Sequence, residues 1–212
     1  MQLALERQII VNHGKKMVAS GLVKSTGGNL SLSNDDKSLL AITPTRTSYE
    51  TMQPKDVAII DFLGNQVEGL LKPSSEIQFH LDLINQRPDI YAVVHTHSPH
   101  ATTLACLGWE LPAIHYLIGH AGYQVPVAPY ATFGTKELSE SICRTIGKGN
   151  AVLMANHGLV TVGETLEKAY LRAELVEFVA QIYLQSRAVG DPNLISKENM
   201  DKVLLKYSNY AQ

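Results

Sequence analysis

Ala92-Val93-Val94-His95-Thr96-His97 is the stretch from which the rest of this chain is best interpreted. Its apolar first half favours a buried β-strand, because β-branched side chains pack well on a pleated sheet. Alternate residues of a strand point to the same face, so His95 and His97 are predicted to project together. Two imidazoles at this spacing can reach one metal ion, although His-x-His pairs also occur as ordinary polar residues at a strand end.

Two further residues support the metal interpretation. His157 follows an apolar strand predicted at residues 151–155, and Glu76 opens a predicted helix. Three histidine nitrogens that leave one coordination position open suit a catalytic zinc ion, and a nearby carboxylate can serve as fourth ligand or as base. The sequence therefore predicts a metal site made of His95, His97, His157 and Glu76.

The composition is that of an ordinary globular protein, with 212 residues, 45% hydrophobic and 18% charged. This length fits one domain over residues 1–212. The net charge of −2 argues against nucleic acid as a partner, because neutralising phosphates requires a basic surface. There is no run of about 18 apolar residues and no signal-peptide pattern, so no membrane partner and a cytoplasmic location are expected. Cys106 and Cys143 lie outside any Cys-x-x-Cys motif and are predicted to be buried free thiols rather than a disulfide or a metal pair.

Hydrophobic periodicity predicts a mixture of strands and helices. Helices are predicted at residues 3–22, from about 76 to before 88, 99–107, 136–146, 164–187 and 197–206. Strands are predicted at residues 30–33, 39–43, 56–61, 66–68, 151–155 and in the opening stretch, with extended pieces at 112–116 and 124–127. Several strands are joined by tight turns, so the predicted fold class is α/β. We expect a three-layer α/β/α domain with a mixed, largely antiparallel central sheet.

Three polar segments are candidates for binding an anion. Gly27-Gly28-Asn29 allows backbone N–H groups to approach a ligand closely, because glycine has no Cβ. Thr45 follows a strand, while Ser74 and Ser75 supply hydroxyls at a helix N-terminus, where free N–H groups favour negative charge. Each segment alone is weak evidence, since a Gly-Gly pair is usually a turn and a Ser-Ser pair usually a cap. Ser75 adjoins Glu76, so a small phosphorylated substrate is expected beside the metal.

Taken in order, these segments resemble the class II aldolase/adducin family of zinc enzymes. The motifs are Gly27-Gly28-Asn29, Ile42-Thr43-Pro44-Thr45, Pro73-Ser74-Ser75-Glu76, His95-Thr96-His97 and Asn156-His157-Gly158. The resemblance covers nearly the whole chain, and residues 112–116 and 128–135 are most similar to the L-fuculose-1-phosphate aldolase branch. It implies one Zn²⁺ per subunit and reversible cleavage of L-fuculose 1-phosphate to dihydroxyacetone phosphate and L-lactaldehyde. It also implies a homotetramer with active sites at subunit interfaces.

The resemblance further implies roles for single residues. His95, His97 and His157 match the zinc ligands, and Glu76 matches a carboxylate that holds the resting metal and then acts as acid and base. The positions that match phosphate-binding residues are Gly28, Asn29, Thr45, Ser74 and Ser75. The aromatic matches are Phe133 at the aldehyde end, Tyr116 reaching a neighbouring subunit, and Tyr210 in the C-terminal tail.

One residue departs from the pattern of the aldolases in this family. They have glycine after the position of Thr45, where this chain has Arg46. A guanidinium could strengthen phosphate binding or could point to solvent, and the sequence leaves both alternatives open.

Other functions on the same scaffold are alternatives. L-ribulose-5-phosphate 4-epimerase has aspartate where Glu76 stands, so the glutamate favours the aldolase. A methylthioribulose-1-phosphate dehydratase also has the glutamate, so product analysis is needed to distinguish it from the aldolase. A non-catalytic domain like the adducin head is the alternative from another class, and retention of the metal-site residues argues against it. The other histidines, expected at surface or supporting positions, are His13, His80, His100, His115 and His120.

Overall fold

Strands and helices alternate along the chain in this computed structural model, which describes residues 1–210 and, for Tyr210, the backbone alone. The strands are Asn29–Ser33 (β1), Leu39–Ile42 (β2), Ala58–Asp61 (β3), Gln66–Glu68 (β4), Ala92–Thr96 (β5), Val127–Ala128 (β6), Ala151–Met154 (β7) and Gly158–Gly163 (β8). The α-helices are Ala4–Ala19 (α1), Ile77–Gln86 (α2), Pro99–Leu107 (α3), Lys136–Ile146 (α4), Leu166–Val189 (α5) and Lys197–Tyr210 (α6). Among the described helices, none has the length and apolar character needed to cross a membrane.

The strands form one eight-stranded sheet in the order β4-β3-β2-β1-β5-β8-β7-β6. Neighbours are antiparallel throughout, except that β6 and β7 run parallel. The prediction of a mixed, largely antiparallel sheet is confirmed. β8 is absent from the predicted strands, although residues 159–162 are a run rich in β-branched side chains between two glycines, a pattern typical of a strand. It is nevertheless central, pairing with both β5 and β7.

Helices cover both faces of the sheet. α1, α3 and α5 pack on one face, over side chains such as Leu30 and Val94. α2 and α4 pack on the other face, over Val93 and Val152. Each layer removes apolar surface from water, which is the main favourable contribution to folding. The predicted three-layer arrangement is therefore confirmed.

The alternation of side chains along β1 determines where its polar residues lie. Leu30 and Leu32 join the core beneath α1, α3 and α5, so Asn29 and Ser31 project to the α2 side. Asn29 is paired with His95 of β5 across the antiparallel ladder, and paired residues project to the same face. A slip of one residue would turn these polar groups to the opposite layer. The register of β1 against β5 thus brings them under the N-terminus of α2.

The structure differs from the prediction in where some elements begin and in the type of one short segment. α5 begins at Leu166 rather than at residue 164, because the Thr165 side chain caps it by accepting a hydrogen bond from the Lys168 N–H. Tyr116, predicted in an extended piece, instead starts a short 3₁₀ helix.

The two cysteines are free thiols, as predicted, but the prediction that both are buried is wrong. Cys106 lies on the exposed side of α3, and Cys143 on α4 is half-buried.

A residue of α5 caps the N-terminus of α3, directly after the His-x-His stretch. The backbone N–H groups of His100 and Ala101 donate to the two carboxylate oxygens of Glu177, each at 2.9 Å. The carboxylate satisfies two otherwise free N–H groups and interacts favourably with the helix dipole. Glu177→Ala is therefore expected to lower the free energy of unfolding by about 1–2 kcal/mol in urea denaturation.

Glu140→Ala is the matched control for this prediction. Glu140 is exposed on α4 and pairs with Lys136 one turn away at 3.4 Å. Such a surface pair contributes at most about 0.5 kcal/mol. Equal losses of stability in the two variants would contradict the capping role of Glu177.

Candidate active site

One cavity of about 750 Å³ gathers most of the predicted site residues. It is lined by residues 26–29, 44–46, 72, 74–76, His97, Phe133 and His157. The predicted anion-binding positions Gly28, Asn29, Thr45, Arg46, Ser74 and Ser75 are all in this lining, together with Glu76. The candidate metal and anion groups therefore share one cleft.

Three imidazoles converge where β5 ends and the chain turns from β7 into β8. One ring nitrogen each of His95, His97 and His157 lies within 4.8 Å of the others. The turn that carries His157 contains Asn156 with φ of +55°, a left-handed conformation that asparagine adopts more readily than most residues. The hairpin thus returns His157 to the end of β5.

The tautomer of His95 follows from its backbone partner. Its Nδ1 lies 3.0 Å from the carbonyl oxygen of Leu159, and a carbonyl only accepts, so Nδ1 donates. The lone pair on Nε2 then faces His97 Nε2 at 3.0 Å and Glu76 Oε2 at 3.4 Å. Burial, reinforced by the neighbouring histidines, holds the pKa of His95 well below its ordinary value. This ring is neutral and presents its free nitrogen to the site, as metal-binding histidines do.

Glu76 occupies the N-cap position of α2 and is almost fully buried. The serines expected to cap the helix precede it, and the Ser74 hydroxyl accepts a hydrogen bond from the Glu76 N–H at 3.3 Å. Its Oε2 accepts a hydrogen bond from Asn29 Nδ2 at 2.9 Å, and its Oε1 lies 3.5 Å from His157 Nε2. Burial raises the pKa of Glu76, while His157 and Asn29 act in the opposite direction.

These donors fit a divalent metal ion. Glu76 Oε1 is buried and has no hydrogen-bond partner within the described residues, an arrangement that is unfavourable for a carboxylate unless a cation is near. Burial lowers the pKa of His97 and of His157, so both are held in the neutral form that binds metals. Three imidazoles with one carboxylate are a ligand set that suits zinc. His95, His97, His157 and Glu76 could therefore hold one metal ion.

A short antiparallel bridge between Pro44 and Pro73 joins two of the candidate anion segments. The Thr45 N–H donates to the Lys72 carbonyl at 3.0 Å, so the two segments are held side by side. Lys72 lines the cavity and was not among the predicted residues, although it directly precedes the Pro73-Ser74-Ser75-Glu76 motif. Arg46 and Lys72 are thus two cationic side chains in the cavity lining, next to the candidate anion segments.

Two backbone positions in the cavity have left-handed conformations. Gly28 has φ of +71°, and a Cβ there would lie 2.5 Å from the His95 carbonyl oxygen, so only glycine fits. Arg46 has φ of +54°, a left-handed conformation that glycine adopts more readily than arginine does. Its side chain is exposed while it lines the cavity, and is therefore accessible to a bound anion.

The three predicted aromatic residues differ in their position relative to the cavity. Phe133 lines the cavity and is 66% exposed. Tyr116 is 51% exposed, and it is not among the described residues that line this cavity. Tyr210 ends α6, and its side chain lies outside the described residues. A single chain therefore brings Phe133 to the cavity but not Tyr116.

His80, expected at a surface or supporting position, is fully buried on α2. Its Nδ1 lies 2.7 Å from Ser31 Oγ and its Nε2 lies 2.5 Å from Asn29 Oδ1. Burial lowers the pKa of His80 to about 3, so the ring is neutral. The sequence signal that could have placed His80 next to Glu76 was their spacing, since residues four apart share one face of a helix.

The layered fold agrees with what comparison with known proteins finds. The family described as "Class II Aldolase and Adducin N-terminal domain" matches residues 8–184. The chain belongs to this family.

Named relatives place it among the aldolases. It is 47% identical over 212 residues to a 5-deoxy-D-ribulose 1-phosphate aldolase of Bacillus thuringiensis serovar kurstaki, with all of both chains covered. It is 43% identical over 209 residues to an L-fuculose phosphate aldolase of Escherichia coli K12, covering 98% of this chain and 95% of the relative. A solved L-fuculose 1-phosphate aldolase matches with a TM-score of 0.96 at 40% identity, covering 98% of each chain. The predicted family and fold are thus confirmed, and the relatives differ in the sugar phosphate that they are named for.

Proposed function

We propose that this chain is a zinc-dependent lyase that reversibly cleaves L-fuculose 1-phosphate to dihydroxyacetone phosphate and L-lactaldehyde. The observation that carries the proposal is the shared cavity, in which three histidines and a glutamate lie beside hydroxyls and cations suited to a phosphate group. The proposal treats residues 1–212 as one domain and includes a cytoplasmic location.

The phosphate of the substrate is proposed to bind against the polar segments that line the cavity with the histidines. Its proposed ligands are Gly28, Asn29, Thr45, Arg46, Ser74 and Ser75. The serines lie just before α2, where free N–H groups and the helix dipole favour an anion, and Lys72 adds positive charge. Because Ser75 adjoins Glu76, a phosphate held there directs the carbon chain towards the glutamate.

One zinc ion per subunit is proposed to be held by His95, His97 and His157, with Glu76 as a further ligand before substrate binds. When bound, the metal supplies Lewis-acid stabilisation of the negative charge that develops as the carbon–carbon bond breaks. In the addition direction, Glu76 removes a proton from the carbon next to the carbonyl of dihydroxyacetone phosphate, and in cleavage it returns that proton. The raised pKa of Glu76 supports this role, because a carboxyl that titrates nearer neutrality both accepts and returns protons effectively.

The second proton transfer is assigned to Tyr116 of the partner subunit. In cleavage, the hydroxyl beyond the breaking bond loses its proton as it becomes the aldehyde, and in addition the aldehyde oxygen regains it. Tyr116 is exposed and is not among the described residues that line its own cavity, which supports a role in a neighbouring site. A homotetramer with interface sites is therefore part of the proposal. Phe133 is assigned to the aldehyde end, and Tyr210 to the second tyrosine of the site.

A second candidate substrate is 5-deoxy-D-ribulose 1-phosphate. It is favoured by the 47% identity to the aldolase named for it, which spans all of both chains. Both sugars end in a methyl group, and cleavage of either releases dihydroxyacetone phosphate. The aldehydes differ by one CHOH unit, acetaldehyde from the shorter sugar and lactaldehyde from the longer one. The choice between them therefore depends on the aldehyde end of the cavity.

The test compares turnover of four sugar phosphates by the zinc-loaded protein, namely L-fuculose 1-phosphate, 5-deoxy-D-ribulose 1-phosphate, L-ribulose 5-phosphate and methylthioribulose 1-phosphate. Dihydroxyacetone phosphate is measured by coupled reduction, and the aldehyde is identified by chromatography. L-Fuculose 1-phosphate is expected to have a kcat/KM about tenfold above that of 5-deoxy-D-ribulose 1-phosphate, since one carbon unit in a binding site is typically worth at least this factor.

Each other outcome selects a different function. A higher kcat/KM for 5-deoxy-D-ribulose 1-phosphate transfers the assignment to the second candidate. Epimerised pentose phosphate without cleavage identifies the epimerase, and a dehydrated product from methylthioribulose 1-phosphate identifies the dehydratase. A protein that binds no metal and turns over none of these compounds is the non-catalytic interaction domain.

A further inference from the structure

A buried chain of hydrogen bonds runs from β1 to the candidate catalytic carboxylate. It links Ser31, His80, Asn29 and Glu76 in that order. All four residues are at most 7% exposed, so water competes little for these bonds. The pairing follows from geometry, because Asn29 and Ser31 share one face of β1 while Glu76 and His80 share one face of α2.

Glu76, the last residue in this series of hydrogen bonds, determines which partner donates in each of them. An ionised carboxylate only accepts, so Asn29 turns its NH₂ group towards Glu76 Oε2. The amide oxygen of Asn29 then faces His80 Nε2, which has to donate. The other ring nitrogen of the neutral imidazole accepts the hydroxyl proton of Ser31. One consistent arrangement of protons satisfies all three bonds.

We propose that His80 and Ser31 are positioning residues for Glu76 and act on it through Asn29. By holding the Asn29 amide in one orientation, they keep Glu76 Oε2 bonded and leave Oε1 free beside His157. The proposal rests on the proposed function, in which Glu76 binds the metal and transfers a proton. It extends that function to two residues that are not among the described residues lining the cavity.

A misoriented Asn29 amide has a specific consequence. Rotated by half a turn, it presents its oxygen to Glu76 Oε2, and two acceptors at hydrogen-bond distance repel each other. The carboxylate then leaves its place, which weakens both its contact with the metal and its aim at the reacting carbon. A residue that only filled space at position 80 would have no such effect, because any side chain of similar size would replace it.

The test compares His80→Leu with His80→Gln. Glutamine can place an amide N–H near the position of His80 Nε2, whereas leucine fills similar space without a donor. His80→Leu is expected to lower both zinc affinity and kcat by about tenfold or more, as is usual for residues that support metal ligands. His80→Gln is expected to restore most of both. Zinc affinity is measured by competition with a chromophoric chelator in the absence of substrate.

His13→Leu is the matched control. His13 is another buried histidine with two hydrogen-bond partners, the Ile9 carbonyl and Glu167 Oε2, and it lies on α1 against the other face of the sheet. This variant is expected to keep the zinc affinity and kcat of the wild type. Ser31→Ala is a further variant that removes the hydroxyl donor to the imidazole, and a loss smaller than that of His80→Leu is expected.

Several results would overturn the proposal. They are equal losses in His80→Leu and His80→Gln, unchanged zinc affinity in His80→Leu, and, if that variant does not fold, unchanged zinc affinity in Ser31→Ala. A wild type that turns over neither ketose 1-phosphate contradicts the proposed function alone, because the zinc affinities still decide whether these residues act on Glu76. A wild type that binds no zinc overturns both.

Discussion

Glu76→Gln is expected to lower kcat for ketose phosphate cleavage about a thousandfold, the factor typical for loss of one acid–base group. Glutamine has nearly the shape of glutamate and can still accept the hydrogen bond that Asn29 Nδ2 donates. The side chain therefore stays in place, and His95, His97 and His157 remain to hold the metal. An amide cannot take a proton from carbon, so turnover fails while zinc content, measured by atomic absorption, stays near one per chain.

A proton-exchange experiment tests the proposed role of Glu76 as base without depending on which aldehyde the enzyme prefers. Given dihydroxyacetone phosphate alone in D₂O, the wild type is expected to replace one proton on the carbon next to the carbonyl, which NMR detects as loss of signal. Glu76→Gln is expected to show no exchange above background. Glu140→Gln, an exposed change on α4, serves as control and should exchange at the wild-type rate. Near-normal exchange in Glu76→Gln would assign the base to another group.

The helices were predictable where their end signals are local. Pro99 starts α3 and Gly108, with φ of +66°, ends it. Thr135 caps α4 by accepting a hydrogen bond from the Leu138 N–H. β8 was missed although residues 159–162 are rich in β-branched side chains. Its central position between β5 and β7 has no such local signal. Strand pairing is a long-range property, and a single sequence does not display it.

In the candidate site too, features set by local sequence could be predicted, and features set by long-range packing could not. The spacing of His95 and His97 is a property of one strand, so the pair could be predicted before its surroundings were known. The burial of His80 depends on β1 lying next to β5 beneath α2, and no pattern along the chain reports that. Arg46 was ambiguous in sequence because its left-handed φ is a property of the folded loop. Tyr116 is not among the described residues that line the candidate cavity, so its proposed role depends on a second chain, and one sequence does not report how chains assemble.

Zinc binding is expected to raise the free energy of unfolding by about 4 kcal/mol when free zinc is a thousandfold above its Kd. The three histidines are neutral near pH 7, because burial lowers the pKa of each one, so no proton has to be displaced before the metal binds. Treatment with a chelator is expected to abolish turnover and lower Tm, and added zinc should restore both. The measurement is thermal unfolding of the chelated and zinc-loaded protein at one fixed protein concentration.

His157→Ala is the variant that tests the site itself. His157 lies on the β7–β8 turn and is partly exposed, so its removal disturbs the core less than removal of the fully buried His95. The variant is expected to lose most of the increase in Tm with zinc, while His13→Ala on α1 keeps it. A full increase in His157→Ala would place the bound zinc elsewhere. An unchanged Tm in the wild type would contradict the metal site, since a ligand that binds only the folded state must stabilise it.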